Sequence, residues 1–113
     1  YEQIGKMSEA EKHYRMAHKL TPDSGLSANN LGRFLCGLGR FDDADRLFVA
    51  AQQDPFYKTP ETAKLNRAVC ARKVGKTAFA TEQFREVLAM KPQDPVALWS
   101  MAELTFADKD YLR

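Results

Sequence analysis

The stretch GLSANNLGRFLCGLGRFDDADRLFVAAQQ, residues 25–53, decides the fold of this chain. It predicts two helices with apolar faces, joined by a short turn in which Gly39 takes the left-handed conformation that ends a helix. The same residue types return 34 residues earlier and 36 residues later. Four sets of positions share this spacing: Gly5, Gly39 and Gly75; Ala10, Ala44 and Ala80; Tyr14, Phe48 and Phe84; and Ala17, Ala51 and Val87. A spacing that holds at four positions indicates an internal repeat.

The repeat resembles the tetratricopeptide repeat in its period and in the Ala-x3-Phe spacing of its second helix. In that family each unit is a pair of antiparallel helices, and successive pairs stack on one another. The resemblance therefore implies an all-α fold, a right-handed superhelical solenoid that occupies the whole chain. The expected divisions are a partial repeat at 1–24, complete repeats at 25–58 and 59–94, and a partial repeat at 95–113.

Bulk composition narrows the possible partners. Of the 113 residues, 44% are hydrophobic and 28% are charged, which is ordinary for a soluble globular domain. The net charge of +2 is far from the basic surface of a nucleic-acid-binding module, so no nucleic-acid partner is expected. The longest apolar runs, such as residues 47–51, are too short to span a membrane. Because the chain starts at Tyr1 and inside a helix pair, we expect it to be a piece of a longer protein.

Two local signals mark helix starts. Ser8 and Glu11 have the spacing of a capping box, which predicts that a helix opens at Ser8. Asp94 followed by Pro95 predicts a second start, with the carboxylate as cap and the proline at the first helical position.

Few residues suggest catalysis. Gly75-Lys76-Thr77 is similar to the end of a phosphate-binding loop, but Cys70 stands where that motif needs its first glycine, and a helix precedes it. His13 and His18 are five residues apart, which separates them around a helix, whereas a helical metal pair prefers four. No nucleophile stands at a suggestive spacing from a base. We therefore expect no enzymatic activity, no cofactor and no metal.

One stripe of the first helix of each repeat is expected to line the inside of the superhelix. The candidate groove residues are Asn29 and Arg33 in the second repeat, Leu65, Val69 and Arg72 in the third, and Trp99 and Phe106 in the fourth. Exposed Trp and Phe side chains are typical binding anchors. The alternative is that the second helix of the fourth repeat covers Trp99 and Phe106. Some grooves of this family grip a C-terminal carboxylate with Lys and Asn, but Leu65 and Val69 at the matching positions disfavour that use.

Three segments together resemble a narrower family. They are NNLGRFLCGLGRFDDA at 29–44, DPFYKTPETAKLN at 54–66, and NRAVCA at 66–71. This order is similar to the type IV pilus biogenesis lipoproteins of the PilF/PilW family, although Arg67-Ala68 departs from the small pair usual there.

The resemblance implies a place in the cell and a partner. It implies the periplasmic face of the bacterial outer membrane, with membrane attachment only through a lipid anchor outside this chain. It also implies action as a pilotin or assembly factor for the secretin pore, with a secretin or pilus component bound as a peptide or helix in the concave groove.

Two other classes of protein remain open from the sequence. One is a tetratricopeptide scaffold of an unrelated complex, such as a cytosolic co-chaperone. The other is the repeat region of a larger enzyme, such as a glycosyltransferase. The full-length sequence separates them: a signal peptide ending before a Cys favours the pilus lipoprotein, and a large α/β domain favours the enzyme.

The two cysteines are placed where a disulfide is feasible. Cys36 and Cys70 lie in the first helices of adjacent repeats and point in opposite directions along the stack, so they can face each other. The alternative is two buried thiols in separate contacts. The family resemblance favours the disulfide, because it implies an oxidising compartment.

The connector between the second and third repeats is two residues longer than the repeat period requires. We expect its aromatic residues, Phe56 and Tyr57, to hold it against the edge of the repeat.

Overall fold

The computed structural model describes the backbone of residues 2–111 and the side chains of residues 5–106. That part of the chain is helical and contains no strand. Its helices are α1 (Glu2–Leu20), α2 (Gly25–Gly37), α3 (Phe41–Gln53), α4 (Pro60–Lys73), α5 (Thr77–Met90) and α6 (Pro95–Tyr111). The most extensive contacts join α2 to α3 and α4 to α5, and α3 also packs on α4. The expected stack of helix pairs is therefore confirmed.

Glycines make the tight turns inside the two complete pairs. Gly39 has a φ of +81° and Gly75 a φ of +86°, a conformation that L side chains rarely adopt. After α2, the Arg40 amide donates to the carbonyl of Leu35. This bond and its equivalent after α4 satisfy carbonyls that a helix end otherwise leaves free. The predicted role of both glycines is confirmed.

Aromatic side chains fill spaces left by small residues between paired helices. Phe48 is 1% exposed and lies over Gly32, where an added Cβ would be 2.7 Å from its ring. Phe84 occupies the corresponding place in the next pair, together with Ala68 and Ala80. The paired helices can pack closely only because these residues are small. The recurrence of small and aromatic residues at the repeat spacing therefore reflects a requirement of packing.

The first helix differs from the expectation. α1 is continuous from Glu2 to Leu20, so the capping box at Ser8 and Glu11 lies inside a helix and the predicted start is wrong. Gly5 does not take a positive φ, unlike its repeat equivalents. Among the described residues, no atom of another helix lies within 4 Å of a Cβ added at Gly5, so none of them imposes a turn there. Without such a partner, the helix-forming residues on either side continue the helix.

The long connector is fixed by one carboxylate and one aromatic ring. Asp54 accepts hydrogen bonds from the Gly25 amide at 2.7 Å and from the Phe56 amide at 2.9 Å. Tyr57 packs against Ala51 and over Gly25, as expected. Phe56 is 87% exposed, so its predicted packing against the repeat is wrong. The ring of Tyr57 fills the available space beside Gly25, and the turn directs the ring of Phe56 into solvent.

α6 begins as the sequence predicts. Asp94 is buried at 7% exposure, and its Oδ1 accepts a hydrogen bond from the Ala97 amide at 2.9 Å. Pro95 occupies the first helical position, where its missing N–H costs nothing.

Candidate protein-binding groove

Helices α2, α4 and α6 lie in succession and form one face of the molecule, here called the groove face. Asn66 of α4 donates to Asn29 of α2 at 3.0 Å. Arg72 of α4 pairs with Glu103 of α6, also at 3.0 Å. Since side chains four residues apart lie on one side of a helix, Arg33 lies beside the contact made by Asn29, and Trp99 lies beside the contact made by Glu103.

A disulfide also joins α2 to α4. The structure pairs Cys36 with Cys70, with Cα atoms 5.7 Å apart. Cys70 is fully buried in the core between α2, α3 and α4, whereas Cys36 is partly accessible. The bond therefore links α2 to α4 at the base of the groove and fixes the distance between these two helices.

The apolar residues of the groove face differ in exposure. Trp99 is 68% exposed and Val69 is 41% exposed. Leu65 is half-buried and packs against the core cluster that contains Phe84. Val69 and Trp99 are thus the predicted apolar residues best placed to contact a partner, while Leu65 also supports the fold.

Phe106 is 73% exposed. It lines a shallow depression with Met101, Ala102 and Thr105. Ala102 is exposed, whereas its repeat equivalents Gly32 and Ala68 are buried by aromatic side chains of a second helix. The alternative that a further helix covers this part of α6 therefore applies to Phe106 more than to Trp99.

The polar residues of the groove face have three different environments. Asn29 is only 4% exposed and is occupied by its hydrogen bond to Asn66. The charge of Arg72 is paired with Glu103. Arg33 is exposed and makes no ion pair with any side chain among residues 5–106. Its positive charge is therefore available on α2.

Two further apolar residues lie on the stripe of first-helix positions that the repeat period predicts for the groove. Leu26 is 60% exposed and Val96 is 45% exposed, and both lie at the start of groove helices. The pairing of Asn29 with Asn66 had no comparable signal, because the period does not reveal how closely α2 approaches α4.

Other kinds of site find no support in the described residues. They contain no group of three or more His, Cys, Asp or Glu side chains placed to hold a metal ion. None of the described helices is both long and apolar enough to cross a membrane.

The helix pairs and the face formed by their first helices define a tetratricopeptide-repeat solenoid. Two solved tetratricopeptide-repeat domains share this fold: the second such domain of human RPAP3, solved in complex with an HSP70 peptide, and that of Arabidopsis OM64. Their TM-scores are 0.74 and 0.76 at 17% and 22% identity, over 91% and 90% of this chain. The matches cover 84% and 83% of those chains. At these identities the likeness shows the fold alone.

Particular relatives come from type IV pilus biogenesis. The type IV pilus assembly protein PilF of Pseudomonas aeruginosa is 28% identical over 105 residues, which is 91% of this chain and 41% of that protein. The crystal structure of PilW, a widely conserved type IV pilus biogenesis factor, matches with a TM-score of 0.83 and 34% identity. That match covers 95% of this chain and 49% of PilW. The predicted resemblance to PilF and PilW is therefore confirmed.

An uncharacterized Haemophilus influenzae protein is 32% identical over 71 residues, 63% of this chain and 40% of that protein. No protein-family model matches the chain. The chain spans less than half the length of the relatives PilF and PilW.

Proposed function

We propose that this domain is a protein-binding scaffold of type IV pilus biogenesis, and that its groove face holds a segment of the outer-membrane secretin or of another pilus component. The supporting observation is an exposed tryptophan, Trp99, on the groove face of a fold shared with PilF and PilW. A large aromatic side chain left in water favours burial by a partner. The RPAP3 domain, which shares only the fold, was solved with a bound peptide.

The finer parts of the proposal extend the sequence resemblance to the type IV pilus lipoproteins. The domain acts as an assembly factor or pilotin for the secretin, at the periplasmic face of the outer membrane. A lipid anchor outside this chain holds the full-length protein there. In this role the domain orients and protects a partner and performs no catalysis.

A variant with two exposed groove residues replaced tests this function. Val69→Ser with Trp99→Ser removes apolar surface without disturbing a buried side chain. The matched control is Phe56→Ser with Met90→Ser, which removes exposed apolar surface outside the groove face. Leu65 is left unchanged because its packing against the core would confuse lost binding with unfolding.

The full-length variants replace the native protein in its own bacterium. We expect the groove variant to lose secretin multimers and surface pili, and the control to keep both. Circular dichroism and a melting curve establish that both proteins fold. A folded groove variant that assembles secretin and pili normally would contradict the proposal.

A further inference from the structure

The charges of the groove face are unevenly distributed. Arg72 and Glu103 neutralise each other between α4 and α6. Arg33 on α2 is exposed, with no ion pair among the side chains that the structure describes. Among the described residues, the groove face therefore presents an available positive charge at α2, a second exposed cation, Lys73, one turn after Val69 on α4, and exposed apolar side chains on α4 and α6.

Arg33 is directed toward the groove by its neighbours. Asn29 lies one turn before it and Cys36 three residues after it, so the three share a helical face. Both neighbours contact α4, through Asn66 and Cys70. The Arg33 side chain consequently emerges beside α4, on the side where Val69 is exposed.

We propose that Arg33 determines the specificity of the groove by pairing with an acidic side chain of the bound segment. This inference rests on the proposed function and adds the chemistry of the partner. Packed helices lie about 10 Å apart, so α2 and α6 are separated by about 20 Å across α4. An extended chain rises roughly 3.3 Å per residue, which places the acid about six residues from the apolar residue that packs on Trp99. The partner is thus an acidic and apolar segment of a protein.

Selection of random peptides displayed on phage, with the purified chain as bait, identifies ligands for the test. Peptides whose binding is lost in the Val69→Ser, Trp99→Ser variant are groove ligands. We expect them to be enriched in Asp or Glu at a constant distance from an aromatic or aliphatic residue. Their affinity is expected to fall as salt is added, because an exposed charge pair is screened.

Charge reversal then assigns the pairing. Arg33→Glu is expected to weaken these peptides about tenfold, and exchange of the peptide acid for Lys is expected to restore binding to that variant. Arg46→Glu is the matched control, since Arg46 is exposed on α3, away from the groove helices. The affinity of this variant for the peptides should equal that of the native chain.

The outcomes separate this inference from the function on which it rests. Groove ligands that lack an acid, or that bind Arg33→Glu as tightly as the native chain, overturn the inference and leave the groove as a binding site. Failure to select any peptide that depends on Trp99 overturns both.

Discussion

Removal of the disulfide is expected to lower stability strongly without changing the fold. The bond joins residues separated by 34 positions. Closing a loop of that length removes chain entropy from the unfolded state, which corresponds to about 4 kcal/mol of stabilisation at 25 °C. For 113 residues the unfolding entropy near the midpoint is about 0.24 kcal/mol per kelvin, so the melting temperature should fall by about 15 °C.

The assay is calorimetric unfolding of the native chain with and without reductant, beside a Cys36→Ala, Cys70→Ala variant. Reductant should lower the midpoint of the native chain and have no effect on the variant, whose midpoint should already be low. Mass spectrometry of the unreduced native protein should find no free thiol. Two free thiols after preparation in an oxidising buffer, or a midpoint insensitive to reductant, would refute the reasoning.

Three further predictions concern local features, each measured by urea unfolding. Gly32→Ala should destabilise by about 1–3 kcal/mol, because the new methyl group meets a buried ring, whereas Gly5→Ala should stabilise by about 0.5–1 kcal/mol, because the space around it is open. A stable Gly32→Ala protein would contradict the packing account. Asp94→Ala should cost about 1 kcal/mol by removing the cap of α6, and an unchanged stability would exclude that role. The hydrogen bond that Arg15 donates lowers the pKa of the Glu11 carboxyl group. The pair therefore stabilises the fold at neutral pH, and this stabilisation is lost as the pH falls through the lowered pKa of Glu11. The stability difference between the native chain and Arg15→Gln should therefore disappear in acid, and a difference that grew in acid would contradict the assignment.

The repeat could be predicted because its signals are local and are repeated. Gly39 and Gly75 are needed for backbone geometry, and Phe48 and Phe84 need small residues opposite them. Each of these requirements places the same type of residue at the same position of every repeat. The helix pairs can therefore be predicted from the sequence. The continuous α1 did not follow, because the capping signal at residues 8–11 acts only where neighbouring helices force the chain to turn.

The groove could be predicted only as a stripe of positions. Exposure along that stripe depends on how closely adjacent first helices pack, which a period does not specify. Asn29 was expected in the groove and is instead buried by Asn66. Arg72 is neutralised by Glu103, whereas Arg33 is left available, and only the relative placement of three helices distinguishes them.

Site-specific photocrosslinking in cells tests the central claim most directly. The full-length protein carries a benzoylphenylalanine in place of Trp99, and a second version carries it in place of Met90 on α5, outside the groove face. If the groove face binds a pilus component, irradiation should link position 99 to the secretin or to another pilus protein, identified by mass spectrometry, and position 90 should give no such product. Equal products from both positions, or none from position 99 in piliated cells, would contradict the account.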